Sequence, residues 1–250
     1  MNEYSERIFT HSEVYFSSPL DFNDPFDCRI PISLEGSKED YKAFYNRMYK
    51  KMRPELSRYE RRREISQLLK TGKHKNKEFL SQIDKTARDD IINNVGVYCL
   101  SEVCDDILMW SHYSYRHAGF CLQFEATDYT PFFGEAQKVK YTLEYPKLSY
   151  FKSNDDDLLY GSLLTKSSHW EYEKEWRVIF QQKGVHTFPE ELLKGVICGC
   201  QMTEENKKQI TSWLQARPSS VVLYDATKKD SEFGLDICRI DNYNMSFRPN

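Results

Sequence analysis

The chain lacks any uninterrupted apolar run approaching eighteen residues, which excludes an ordinary membrane-spanning helix. Its first residues, Met1-Asn2-Glu3-Tyr4-Ser5-Glu6-Arg7, are polar and lead into no apolar stretch, so no signal peptide is expected. A large charge of one sign is also missing. With 35 Lys/Arg against 38 Asp/Glu the net charge is −3, which excludes a uniformly basic nucleic-acid binder. The seven cysteines, Cys28, Cys99, Cys104, Cys121, Cys198, Cys200 and Cys238, lack paired zinc-knuckle spacing, so no metal is expected. Their odd number, without a leader, predicts reduced thiols and a cytoplasmic protein. Cys121, between Phe120 and Leu122, reads as a small hydrophobe. No internal repeat is present. What remains is a 250-residue chain, 40% hydrophobic, long enough to bury a core without disulfides or metal. Its distinctive excess is aromatic, at 14%.

The patterning predicts an α+β fold, a compact mixed or antiparallel β core carrying a basic α-helical insertion over residues 38–94. Val14-Tyr15-Phe16 is β-prone, and Phe22 to Asp27 reads as a proline turn with Asx character. Tyr41, Phe44, Tyr45, Met48 and Met52 recur at helical spacing. A second helix carries Tyr59, Ile65, Leu68 and Leu69, and a third carries Phe79, Ile83, Ala87, Ile91 and Ile92. From Lys38 to Arg88 there are sixteen Lys/Arg against seven Asp/Glu, so the modest overall charge conceals a basic segment. A solvated helical face accounts for that imbalance; a surface for nucleic acid is the sharper alternative, although no aromatic-interleaved basic motif accompanies the run. Beyond Val95, strands are expected at 95–101, 119–124, 137–141, 173–181, 195–199, 221–224 and 235–240. A short helix or turn is expected at 106–113, and helices at 158–167 and 203–215, the last capped by Thr203.

Three clusters carry candidate chemistry. The first is the turn Phe22-Asn23-Asp24-Pro25-Phe26-Asp27. The second, Met109 to Gly119, brings Trp110, His112, Tyr113 and His117 into one short helix and its exit loop, a density of polar-tipped rings suited to stacking a planar ligand. The third is Trp170 to Phe180, preceded by Lys166. Read as one strand, it puts Glu171, Glu173, Glu175 and Arg177 on one face and Trp176, Val178 and Phe180 on the core side. Carboxylates beside a guanidinium suit acid/base or cation-stabilising work.

These clusters, in this order, resemble the bacterial domain of unknown function family 2971: the Phe22–Asp27 turn, the segment from Trp110 to Phe124, and Lys166, Trp170 and Glu173 to Arg177. The resemblance spans nearly the whole chain and is to proteins similar to small defence-associated ones. Family members often begin with an extra strand bearing a Lys-Tyr-Arg motif, for which only Tyr4 and Arg7 stand here. An analogy of fold extends to ADP-ribosyltransferases, whose compact split sheet has a Glu-x-Glu signature similar to Glu173-Lys174-Glu175. That analogy implies NAD as substrate. Glu175 and Glu173 would be the catalytic carboxylates, with Glu175 favoured because Trp176 and Arg177 would position it most rigidly. Tyr113, Trp110, Asn23, Asp24, Arg177 and Lys166 would bind the nucleotide. Two other classes stay open: a nucleic-acid-binding or nuclease-like effector using the basic helices with His112 and His117 as acid and base, and a nucleotide-sensing module without catalysis.

Overall fold

A computed structural model of the chain describes residues 3–76, 78, 80–82, 85, 92, 95–151, 153 and 155–240. In chain order the elements are α1 (Glu3–His11), β1 (Glu13–Phe16), β2 (Ile32–Ser33), α2 (Lys38–Met52), α3 (Arg58–Lys70), β3 (Gly96–Ser101), α4 (Ile107–Tyr113), β4 (Phe120–Phe124), β5 (Gln137–Lys138) and β6 (Lys140–Thr142). They continue with β7 (Leu148–Ser149), α5 (Asp155–Leu163), β8 (Thr165–Ser167), β9 (Glu175–Phe180), β10 (Gly184–Thr187), β11 (Leu193–Cys198), α6 (Glu204–Gln215), β12 (Val222–Lys228) and β13 (Leu235–Arg239). Short 3-10 turns lie between them, the one at Ser168–Glu173 mattering most below. The fold is α+β, and no described helix is long and apolar enough to cross a membrane.

The chain divides into two compact units, the first made of Met1–Ser18, Val95–Tyr141 and Ser168–Asn250, the second of Pro19–Asn94 and Thr142–Ser167. In the first unit a four-stranded sheet has the order β13-β12-β11-β4, with β11 and β12 parallel and the other pairs antiparallel. The helix α6 is the crossover that a parallel pair requires. A second sheet, β3-β9-β5, is antiparallel, and β1 pairs antiparallel with β10. The core is built from the apolar faces of these strands with the helices: Phe16, Val178, Phe188, Leu193, Val196, Ile210 and Leu223 are each at most 2% exposed. Phe9 of α1 lies flat against Trp213 of α6, with ring centroids 5.5 Å apart. Arg217 closes the C-terminal end of α1, donating to the Phe9 and Ile8 carbonyls and to Ser12 Oγ.

In the second unit, α2 and α3 are each opened by a full capping box, Ser37 with Asp40 and Ser57 with Glu60. Their apolar stripes meet in a cluster of Tyr41, Phe44, Tyr45 and Ile65, against which Tyr150 and Phe151 pack. Burial pushes the Tyr45 phenol up to about 12. The short strands β2 and β7 pair in parallel.

Three differences from the sequence reading have local causes. Residues 3–11 form a helix where the family pattern has a strand; Glu3 and Glu6 suit its first turn. The helix expected through Ser167 ends at Leu163, and Thr165–Ser167 is a strand, as a β-branched start favours. The third basic helix lies largely outside the described residues.

Candidate functional site

The site in the first unit begins with α4. Asp106 caps it, accepting hydrogen bonds from the backbone of Leu108 and Met109, each at 2.9 Å. Trp110 turns inward, 3% exposed, and donates its indole N–H to the Cys104 carbonyl at 2.8 Å. Tyr113, at the last turn, projects outward and is 51% exposed. Its hydroxyl reaches sixty residues along the chain to donate to Glu173 Oε1 at 2.7 Å.

Glu173 is not on a strand. It ends the 3-10 helix Ser168–Glu173, and Lys174 follows with φ 43°, a left-handed conformation that non-glycine residues seldom adopt. The strand β9 begins only at Glu175. This corrects the expected strand face: Glu171 and Glu173 are not in register with Glu175 and Arg177. The kink is stitched to the neighbouring loop by Ser101 Oγ donating to the Glu173 carbonyl at 2.7 Å and by Glu102 N–H donating to the Lys174 carbonyl at 3.2 Å.

A second correction is that both faces of β9 are covered: Val178 and Phe180 meet the core as expected, and the charged face is buried too. Glu175 is 4% exposed and Arg177 not at all, whereas Trp176 between them is partly open. Arg177 donates from Nε to Glu175 Oε1 at 2.7 Å and from Nη2 to Oε2 at 3.0 Å, a bidentate fork. The Glu175 backbone N–H donates to the Tyr141 hydroxyl at 2.8 Å. Trp176 gives its indole N–H to Glu102 at 2.7 Å, and Lys138 does the same from Nζ at 2.8 Å; together they hold the Glu102 carboxyl below its usual range. Glu173 and Glu175 are both buried, at 3% and 4% exposed; Glu173 accepts from the Tyr113 phenol and Glu175 from the Arg177 guanidinium.

His112 packs edge-on against Tyr113 and Trp170, at centroid separations of 6.1 and 6.2 Å. Trp170 stands in turn beside Tyr172 at 6.0 Å. His117 engages other neighbours, stacking on Trp110 at 6.4 Å and pairing Nε2 with Ser111 Oγ at 3.0 Å. It closes a run of three left-handed residues, Tyr115, Arg116 and His117. That run is clamped by Gln201 N–H on the His117 carbonyl, and Gly199 is needed beneath it because a Cβ there would lie 2.2 Å from that carbonyl oxygen.

Asn23, Asp24 and Lys166 belong to the second unit. Asp24 Oδ1 accepts from Phe26 N–H at 2.9 Å, an Asx turn, while Asn23 is exposed. Lys166 lies 3.6 Å from Asp27 Oδ2, with both side chains almost fully buried at 6% and 4%. Sequence reasoning missed Tyr141 as a site residue, because nothing local marks it as the acceptor for a strand 34 residues on. Among the described residues no group of three or more His, Cys, Asp or Glu is arranged to hold a metal ion.

No curated protein and no solved structure matches the chain. A family model, described as protein of unknown function (DUF2971), matches residues 109–178, well under half of the chain. That stretch contains α4 from Met109 onward, its exit turn, Lys166, Trp170 and the Glu173–Arg177 segment, and over it the family read from the motifs is the family the chain matches.

Proposed function

We propose that the first unit is an enzymatic site for cleaving the N-glycosidic bond of NAD, in the manner of an ADP-ribosyltransferase or NAD glycohydrolase, within a defence-associated effector. The observation that carries this reading is the 2.7 Å hydrogen bond from the half-exposed Tyr113 phenol to Glu173, beside the rings of His112 and Trp170. Breaking the bond between ribose C1′ and the nicotinamide nitrogen sends the electron pair out with nicotinamide. Positive charge develops on the ribose, and water or an acceptor nucleophile then bonds to C1′ and releases a proton. A carboxylate near C1′ lowers that barrier by stabilising the cation, and the surface rings supply stacking area for the leaving base. Glu173 takes the charge-stabilising role in this reading. Glu175, held by Arg177, is the positioning residue that fixes the start of β9 and hence the kink at Lys174.

Incubation with NAD and chromatography of released nicotinamide tests the reading. Glu173→Gln is expected to lower turnover about 10²–10³-fold, the usual cost of losing one charge-stabilising group. Tyr113→Phe removes one hydrogen bond to a charged group, about 1.5–3 kcal/mol, and is expected to slow turnover by about tenfold or more while the protein melts normally. NAD binding without any turnover would instead support a nucleotide sensor.

A further inference from the structure

The second unit carries a basic groove that the NAD reading does not use. Between Asp40 and Glu55 the chain has no carboxylate, while Lys42, Arg47, Lys50, Lys51 and Arg53 fall there. Arg53 is engaged by Glu55 and Glu64, at 3.1 and 3.3 Å. Arg47 and Lys51 are exposed and make no ion pair among the described residues. One helical turn apart, about 6 Å along α2, they stand on the same edge. Beneath them is a groove of about 310 Å³ lined by Phe44, Met48, Met52 and Tyr150. Tyr150 comes from the far segment of the unit and meets Phe44 edge to face, with centroids 5.5 Å apart and planes at 87°. The fold thus brings to the basic run a further ring from about one hundred residues away.

We propose that this groove binds single-stranded nucleic acid, one base lying on Met48, Met52 and Tyr150 and its flanking phosphates on Arg47 and Lys51. Two cations without an ion pair among the described residues, beside an aromatic and thioether floor, are the elements of a sequence-tolerant single-strand site, since every base has a face to stack and a phosphate on either side. Duplex nucleic acid presents its bases edge-on and cannot use the floor.

Fluorescence anisotropy with a labelled oligothymidylate of about 16 nucleotides, over a salt series, tests the proposal. The variant Arg47→Gln/Lys51→Gln is expected to bind at least tenfold more weakly at low salt. Its slope of log K against log salt should be smaller by about 1.4, the share of two single-strand phosphates. Arg62→Gln/Arg63→Gln on α3 removes the same charge elsewhere and should leave the slope unchanged. Met52→Ala, at a residue already 71% exposed, should weaken the oligonucleotide but leave binding of heparin, a polyanion without bases, as it was. The proposal is overturned if the single strand does not bind, if duplex or heparin binds as tightly, or if the two double variants behave alike. None of these readouts depends on NAD turnover.

Discussion

Arg177 is among the largest fully buried side chains of the described residues, and it forks onto the buried Glu175. A guanidinium and a carboxylate leave water together only when each satisfies the other's hydrogen bonds, so removing one member is costly. Arg177→Met should destabilise the protein by about 3–5 kcal/mol in urea unfolding, because Glu175 loses its bidentate partner inside. Glu175→Gln/Arg177→Met should recover part of that loss; a single variant that unfolds like the parent would show the pair to be dispensable. The identities in this cluster were legible in the sequence, but their burial was not. Period-two alternation separates two strand faces and placed Val178 and Phe180 on the core correctly, but it could not show that the charged face is covered as well. The cysteines read more simply. Burial pushes Cys121 up to about 11 and Cys198 up to about 12, so both stay protonated thiols at neutral pH. Iodoacetamide at pH 7.5 should modify the exposed Cys238 and spare Cys198 in the folded protein, as peptide mapping would show.

Elements with strong end signals were the easiest to place. The basic helices α2 and α3 follow from apolar residues at three- and four-residue steps, each behind a Ser-x-x-acid box. The helix α6 starts behind Thr203, which accepts from Asn206 N–H. The segment from Ser168 to Lys174 defeated the same reasoning. Its alternating Glu and aromatic residues imitate a strand, whereas the backbone turns through a 3-10 helix and a left-handed lysine secured by Ser101 and Glu102 from another strand. Long-range hydrogen bonds of this kind leave no local trace. The junction of α1 and β1 carries a pH signature. Arg7 donates to both Glu13 oxygens, at 2.7 and 2.8 Å, which lowers the Glu13 carboxyl below its ordinary value. A carboxylate favoured by folding contributes its full stability above the ordinary carboxylate range and loses it as pH falls through the lowered value. The melting-temperature difference between the parent and Glu13→Gln should therefore be present at neutral pH and vanish in acid. A difference constant with pH would contradict the assignment.

Across the whole molecule, a net charge of −3 averages two dissimilar populations. The basic residues concentrate on α2 and α3 of the second unit, and the Glu-x-Glu segment belongs to the first. The three motifs likewise divide between the units. The Phe22–Asp27 turn and Lys166 share one, where Lys166 faces Asp27, and Tyr113, Glu173, Glu175 and Arg177 share the other. Sequence order showed the motifs and their chemistry. It did not show that Tyr113 selects Glu173 rather than Glu175, because that choice rests on where α4 ends and where β9 begins. The measurement that most directly tests the account is the rate of nicotinamide release from NAD by the purified parent protein and by Glu173→Gln, both verified as folded by thermal melting. The account predicts release by the parent and a loss of about 10²–10³-fold in the variant. No release by the parent, or equal release by both proteins, would contradict it.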